Sequence, residues 1–334
     1  MSKPLLDMHC HTTNSDGTQS PEEVYRYARE KWIDIFAITD HDRITTHPDF
    51  PAWVQKDGRL ILEWVEVSGR YEHGDYRKSV HIPAYALSLK WELQDILTGI
   101  RRGKAEKVQR QCEQLKSNWC MIELPDSRIV PFSFDAMRAC FPETQEDGFN
   151  NAHLTELVLK YRKNLRKLQD IAPWITEHNL LRDGFKSEWK YRKEISLREK
   201  LPEYEPRIEE LIEAVDRNNT IVSLAHPNYT FATIAEFRQH IGRITALGVN
   251  AIEINSTATR EWTDEIELIR DWQVESYSPP SLLTFGSDCH DLYPTRVDNR
   301  HSLLWDMNPY ITARQKQQAA LQILDFFSPQ PELL

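Results

Sequence analysis

Short apolar runs that end in polar or charged residues recur along this chain, and they limit its fold more than any other feature. Seven stand out: Leu5 to His9, Ile33 to Thr39, Leu60 to Val67, Val80 to Leu87, Ile221 to Ala225, Ala251 to Ile254 and Leu282 to Phe285. Their length and composition predict strands, and runs that are apolar throughout suit a parallel sheet buried on both faces. Helical patterns such as Pro21 to Lys31 and Thr233 to Leu247 lie between them. Seven strands alternating with helices predict an α/β barrel. Ser20-Pro21-Glu22-Glu23 places a helix directly after the first strand: a hydroxyl at the N-cap, proline at the first helical position, acids in the first turn.

Between about Trp91 and Asn219 the strand signal lapses and the sequence becomes charged and helical in pattern (Ile100 to Ser117, Asn151 to Lys167, Pro206 to Asn218). The expected organisation is therefore a barrel formed by residues 1–91 and 220–310, an inserted helical cap over 92–219, and a C-terminal helix and tail over 311–334. A chain of 334 residues accommodates one elaborated barrel of this kind.

Charge and composition exclude several function classes. With 41 Lys+Arg against 51 Asp+Glu the formal net charge is −10, so the whole chain is no electrostatic trap for nucleic acid, and long duplex partners are not expected. The one basic stretch is Lys160 to Lys200, with twelve Lys+Arg and six Asp+Glu, which is either a solvated pair of helix faces or a contact for a polyanionic substrate. No apolar window is long enough for a membrane span, and the start MSKPLLDMHCH lacks a signal-peptide pattern, so a cytoplasmic protein with no membrane partner is expected. Five cysteines without zinc-finger spacing read as reduced thiols. Only 11 residues are glycine, and neither of the glycine-rich phosphate-loop patterns occurs.

The chemistry-bearing residues sit at the ends of the predicted strands. His9-Cys10-His11 ends the first and is followed by Ser15-Asp16-Gly17. An H-x-H pattern alone is weak, because chance supplies about 0.4 per chain of this composition. Strand position strengthens it: residues i and i+2 point to one side, so both imidazoles can reach one metal at roughly 2.0 to 2.2 Å. Thr39-Asp40-His41-Asp42 follows the second strand, and Glu66 is an acid in the apolar strand Trp64-Val65-Glu66-Val67, where an unpaired carboxylate is costly. His81 begins another apolar run, His226 ends Ser223-Leu224-Ala225-His226-Pro227, and Gly286-Ser287-Asp288-Cys289-His290 closes the last strand. Six histidines and four acids thus gather where barrel strands meet their following loops, the face on which barrel active sites are built.

In this order the motifs H-x-H, S-D-G, T-D-H-D, a strand glutamate, H, A-H-P and G-S-D-x-H resemble the PHP (polymerase and histidinol phosphatase) family of metal-dependent phosphoesterases. The resemblance covers roughly 1–91 and 220–291. It implies a distorted (β/α)7 barrel with an inserted helical subdomain, and it is similar in particular to small trinuclear members acting on nucleoside bisphosphates and RNA 5′ ends. Three divalent metal ions, Mn²⁺, Zn²⁺ or Fe²⁺, are implied. His9, His11, Glu66 and Asp288 would hold the first, Glu66, His81 and His226 the second, and Asp16, His41 and His290 the third. Asp16, His41, Glu66 and His226 would carry the reaction, and Asp40 and Asp42 would fix imidazole tautomers or serve the turn.

What the resemblance implies chemically is hydrolysis of phosphate esters of nucleotides or short oligonucleotides by attack of a metal-bridging hydroxide. Arg43, Arg70 and Arg296 lie near the metal motifs and are candidates to neutralise phosphate oxygens. The other readings are a phosphatase of a small phosphomonoester such as a sugar or histidinol phosphate, an amidohydrolase with a bridging strand lysine, and a non-catalytic metal-binding interaction module. The segment from Ser68 to Val80, read as a loop, matches none of the motifs. His153, in the insertion, is a further candidate to reach substrate.

Overall fold

The computed structural model describes residues 5–45, 53–54, 60–89, 91–117, 121–142, 144, 146–150, 153–154, 157, 204–270, 282–292 and 308–327. The basic stretch Lys160 to Lys200, Arg296, His47, His178, His301, Cys120 and most of the helical pattern over Asn151 to Lys167 lie outside the described residues. The chain divides into two compact units, Met1–Leu97 with Glu205–Leu334, and Thr98–Tyr204.

The first unit is a mixed α/β fold. One sheet has the order β1-β2-β4-β3, from β1 (Leu6–Asp7), β2 (Ile35–Phe36), β3 (Trp53–Val54) and β4 (Leu60–Ile61). The other has the order β11-β10-β9-β6-β5, from β5 (Glu63–His73), β6 (Tyr76–Ala86), β9 (Thr220–Leu224), β10 (Ala251–Asn255) and β11 (Leu282–Gly286). β1, β2 and β4 run parallel to one another, as do β9, β10 and β11. Backbone hydrogen bonds join the sheets at two seams. At one, the Met8 N–H donates to Phe285 O, the Asp288 N–H to His9 O and the His11 N–H to Cys289 O, all at 2.8 Å. At the other, the Asp42 N–H donates to Glu66 O at 2.9 Å.

Two expectations are corrected here. The sheet is not parallel throughout, because β6 runs antiparallel to both β5 and β9. The segment Ser68 to Val80 is not a loop: it is the outer half of one long hairpin, paired from Glu63↔Ala86 to His73↔Tyr76. The turn is Gly74-Asp75, with Gly74 at φ +57°, a conformation that glycine adopts without steric cost. The hairpin tip is held by α6 (Ile234–Ala246): the Tyr76 ring stacks on His240 at 3.9 Å, and the Tyr76 hydroxyl donates to Glu236 at 2.7 Å.

Helix α1 (Pro21–Glu30) begins as its sequence predicts. Ser20 caps it, the Ser20 N–H donates to the Glu23 carboxylate at 2.8 Å, and Val24, Tyr25 and Ala28 face inward, with Tyr25 edge-on to Phe36. The remaining helices of this unit are the start of α2 (Trp91–Ser117), α4 (Ile208–Glu213), α5 (Pro227–Thr230), α7 (Arg260–Arg270) and α8 (Ala313–Phe326). Leu6, Met8, Ile252, Ile254, Leu283 and Phe285 are buried, and so are the residues that alternate with them: Asp7, His9, Glu253, Asn255 and Thr284. Period-two alternation puts these polar residues on the opposite strand face. They meet one another there, through contacts such as Ser223 with Thr284 at 2.7 Å and the Ser287 N–H donating to Asp7 at 3.0 Å. Buried polar groups must be paired, and this inward polar face is where the histidines converge.

The second unit contains the rest of α2, β7 (Met121–Glu123), β8 (Ile129–Pro131), α3 (Phe134–Cys140) and a 3-10 turn over Glu146–Gly148. Val108, Cys112, Ile122, Phe132, Met137, Phe149 and Leu157 form its core. The purely helical expectation is corrected by the antiparallel β7–β8 pair, whose turn places Ser127 at φ +67°. His153 belongs to this unit, its ring against Phe141 and Phe149 and its Nδ1 3.1 Å from Asn150 Oδ1. Among the described residues no helix is long and apolar enough to cross a membrane.

Candidate metal centre

The site is organised around Glu66, which β5 presents fully buried. Its Oε1 lies 2.9 Å from His81 Nδ1 and 3.1 Å from His226 Nε2. Its Oε2 lies 2.9 Å from His41 Nδ1, 3.2 Å from His9 Nε2 and 3.4 Å from His11 Nε2. Asp288 Oδ1 reaches His11 Nε2 at 3.1 Å and His9 Nε2 at 3.5 Å. Asp16 Oδ1 reaches His290 Nε2 at 3.3 Å, and Asp16 Oδ2 reaches His41 Nε2 at 3.8 Å. All nine ligand candidates read from the sequence therefore converge in one cluster.

Local backbone conformation makes this convergence possible. Gly17 folds back onto the His11 backbone and Gly286 passes against His9, each where an added Cβ would overlap its neighbour. Asp42, His226 and Asp288 all adopt positive φ, at +53°, +27° and +55°, a conformation uncommon for non-glycine residues. The cluster also has a direction. His9, His11 and Glu66 have fully buried side chains, whereas those of His81 and His290 are 32% and 34% exposed, so the rim lies at these two. An open cleft of about 440 Å³, lined by Lys78, Ser79, His81, His226, Tyr229 and Thr230, adjoins it on the His81 side.

Three features fit divalent metals. Two atoms that each bind one ion at about 2.1 Å in tetrahedral geometry lie roughly 3.4 Å apart, and the donor separations above scatter about that value. His9 Nε2, Glu66 Oε2 and Asp16 Oδ1 are buried without a hydrogen bond, an expensive state that a coordinated cation relieves. Finally, His11, Asp16, His41 and His290 form one group of mutually close donor atoms, His9, His11 and Glu66 a second, and His41, Glu66 and His81 a third. Imidazole with carboxylate suits Zn²⁺, Mn²⁺ or Fe²⁺.

The electrostatics of the metal-free cluster follow from burial opposed by pairing. Burial pushes Glu66 up, but the charges of His9, His81 and His41 hold its carboxyl well below the ordinary range. Asp16 is treated likewise by His290 and His41, and Asp288 by His290, His11 and His9. Burial lowers His290, yet Asp16 and Asp288 raise it to about 10. His11 goes the other way, down to about 4, through burial and the neighbouring charges of His290 and His41.

Other sequence candidates occupy different positions. Asp40 accepts from the Thr12 N–H and from the Thr12 and Ser15 hydroxyls at 2.7 Å each, and also from the Thr45 hydroxyl. It thus pins the loop that carries Asp16. Asp42 accepts from the Ser68 N–H at 2.7 Å and the Ser68 hydroxyl at 3.0 Å. Arg70 pairs with Glu72 at 2.8 Å, and Arg43 is half-buried two residues beyond His41. Glu253 was not among the candidates. It is fully buried on β10, with Oε2 2.6 Å from His9 Nδ1, and Asn255 Nδ2 donates to its Oε1 at 3.2 Å. The signal that singled out Glu66, a lone acid in an apolar strand, is equally present in Ala251-Ile252-Glu253-Ile254.

A family model described as PHP domain matches residues 7–257. Among curated proteins, a 5′-3′ exoribonuclease of Haemophilus influenzae is 33% identical over 66 residues, covering 20% of this chain and 24% of that protein. A 3′,5′-nucleoside bisphosphate phosphatase of Chromobacterium violaceum is 30% identical over 121 residues, covering 34% of this chain and 38% of that protein. The matched stretches therefore span well under two thirds of these relatives. Among solved structures, a protein from Bifidobacterium adolescentis described as a metal-dependent phosphoesterase superposes with TM-score 0.58 at 19% identity, covering 98% of each chain. An amidohydrolase from Chromobacterium violaceum superposes with TM-score 0.56 at 21% identity, covering 86% of this chain and 87% of that one. At these identities the two structures establish a shared fold.

Proposed function

The chain belongs to the PHP domain family, and we propose that it is a metal-dependent phosphoesterase that hydrolyses phosphate esters of nucleotides or short oligonucleotides. The observation that carries this reading is the convergence of His9, His11, Asp16, His41, Glu66, His81, His226, Asp288 and His290 on one another at donor separations of 2.9 to 3.8 Å. The two backbone seams support reading the two sheets as one distorted barrel, and the compact unit Thr98–Tyr204 supports an insertion, with residues 92–97 and 205–219 falling in the first unit.

In this reading His9, His11, Glu66 and Asp288 hold one ion, Glu66 with His81 and His226 a second, and Asp16, His41 and His290 a third. Such ions, when bound, lower the pKa of water toward neutrality and neutralise phosphate charge. The chain's own contribution is placement. Glu66 offers one oxygen to His81 and His226 and the other to His9, His11 and His41, so a single buried carboxylate links the donor groups. Glu253 accepts from His9 Nδ1 and leaves Nε2 turned toward Glu66. Asp40 holds the Thr12–Gly17 loop so that Asp16 faces His41 and His290. The linking position is filled by a carboxylate, not by the lysine of an amidohydrolase arrangement. The activities for which the similar exoribonuclease and bisphosphate phosphatase are named favour a nucleotide over a sugar phosphate.

The test is phosphate release by the Mn²⁺-loaded protein from 3′,5′-bisphosphonucleotides, mononucleotides, 5′-phosphorylated oligoribonucleotides and sugar phosphates, with Asp16→Ala as control. Release from nucleotides that disappears in the variant is expected. Release from none of them by metal-loaded protein overturns the reading, and release from sugar phosphates alone moves it to a small-phosphomonoester phosphatase.

A further inference from the structure

The cleft beside His81 and His226 contains a side chain that the metal cluster does not use. Tyr229 is 53% exposed, its ring centroid 5.8 Å from that of His226. An exposed tyrosine on a surface turn ordinarily rotates freely, but this one is anchored at its far end. The Tyr229 hydroxyl is hydrogen-bonded to the Thr257 hydroxyl, the two oxygens 2.5 Å apart. Thr257 is itself fixed, its N–H and hydroxyl lying 2.9 and 2.7 Å from Asn255 Oδ1. Asn255 also donates to Glu253, the acid behind His9, so the anchor of the ring and the support of the metal cluster are one network.

The backbone contributes as well. His226 adopts φ +27°, and its carbonyl accepts from the Tyr229 N–H at 2.8 Å. The tight turn Pro227–Thr230 follows at once. One strained residue therefore sets both an imidazole of the cluster and the position of the aromatic ring three residues on. Strain of this kind persists where the surroundings over-determine it. The other lining residues outside the cluster, Lys78 and Ser79 from β6 and Thr230, carry polar side chains. A fixed aromatic face and polar side chains beside the candidate metal cluster make a stacking platform for a planar, uncharged ring attached to a phosphorylated sugar.

We infer that Tyr229 is the nucleobase platform of this site, stacking on the base of a nucleotide whose phosphate lies at the metal cluster. The inference rests on the phosphoesterase reading for what occupies the cluster, and it assigns the base-contacting residue, which that reading leaves open. Base stacking on an aromatic side chain tolerates any base, because every base has a π-face, so the site would select for a nucleoside without selecting its sequence.

The experiment is equilibrium binding by calorimetry of adenosine 5′-monophosphate and ribose 5-phosphate to the full Mn²⁺-loaded chain, for the native protein, Tyr229→Ala and Tyr229→Phe. The quantity read is the ratio of the two affinities. The native protein and Tyr229→Phe prefer the nucleotide, and Tyr229→Ala loses about 5- to 150-fold of that preference, the range of one stacking interaction. A merely structural role for Tyr229 would weaken both ligands together and leave the ratio unchanged, which overturns the assignment. So does a native protein that binds both ligands equally. Failure of the phosphoesterase reading shows differently, as absence of phosphate release from every ester, whatever the binding ratio.

Discussion

Glu253 Oε2 lies 2.6 Å from His9 Nδ1, on the side of the imidazole opposite Glu66, whose Oε2 is 3.2 Å from His9 Nε2. The ring is held between two buried acids from different strands, one acting as its support and the other sharing its cluster. Carboxylates behind metal-binding histidines typically contribute 10–100-fold to metal affinity. Glu253→Ala is expected to weaken Mn²⁺ binding by about that factor in competition with a chelator. Glu253→Gln, whose side-chain oxygen still accepts from Nδ1–H, retains most of it. Equal affinity in Glu253→Ala and native protein would show that His9 needs no such support.

Gly286 tests the same contact from the other strand. A Cβ there would overlap the His9 Cβ, and β11 continues from this point into Asp288 and His290. Gly286→Ala is expected to cost about 1–3 kcal/mol, as overpacking usually does, and to weaken metal binding together with stability. Gly74→Ala serves as the contrast: at φ +57° with no neighbour near its Cβ, it costs stability through backbone strain alone and leaves metal affinity as it was. Urea unfolding with a parallel chelator titration separates the two; a Gly286→Ala protein with native metal affinity would refute the close-approach argument.

How much of this was legible beforehand depended on whether the signal was local. Ser20, Pro21 and Glu23 specify a helix start within four residues, so α1 could be read directly. Seven of the nine cluster residues could be read because they follow strand ends, which gather on one face, whereas Glu66 and His81 lie within β5 and β6 and were read from their apolar surroundings. The outer hairpin could not be read from hydrophobicity. Between Ser68 and Val80 only Tyr71, Val80, Ser68 and Gly69 are buried, and among the rest His73, Tyr76 and Lys78 find their partners on α6, more than 150 positions away. A local sign existed even so, in the two-residue Gly74-Asp75 turn between His73 and Tyr76. Glu253 shows a different failure: the rule that found Glu66 applied to it, but its partner, His9, is visible only once β10 and β1 face the same interior.

Asp40 is predicted to matter through the loop it holds. Its two oxygens take hydrogen bonds from Thr12, Ser15 and Thr45, all buried. Removing the acceptor leaves several buried donors unsatisfied, each costing about 1–3 kcal/mol where no replacement forms. Asp40→Ala is expected to lower the unfolding free energy by roughly 2–4 kcal/mol in urea. It should also weaken metal binding at the group containing Asp16, because Asp16 follows Ser15 directly. A variant with native stability would mean that the loop is held by other contacts.

The protonation of His290 gives the prediction with a sign. In the metal-free protein its pKa is raised from 6.5 to about 10 by Asp16 and Asp288 against the cost of burial. A histidine raised on folding contributes stability that is fully present below pH 6.5 and is lost as pH rises through 10. Coordination requires the neutral imidazole. Between these values, metal loading must therefore expel the His290 proton, and affinity rises with pH until about 10. His9 and His226 are raised as well, by Glu253 and Glu66 in the first case and by Glu66 in the second, each against burial, so the native protein releases protons from more than one ring. His11, lowered to about 4, has none to give at neutral pH. Calorimetric titration of Mn²⁺ at pH 7.5 in two buffers of different ionisation enthalpy counts the protons; His290→Gln is expected to release about one fewer than the native protein. Equal release by the two proteins would mean that His290 enters the metal-free cluster already neutral, and that Asp16 and Asp288 do not hold its proton.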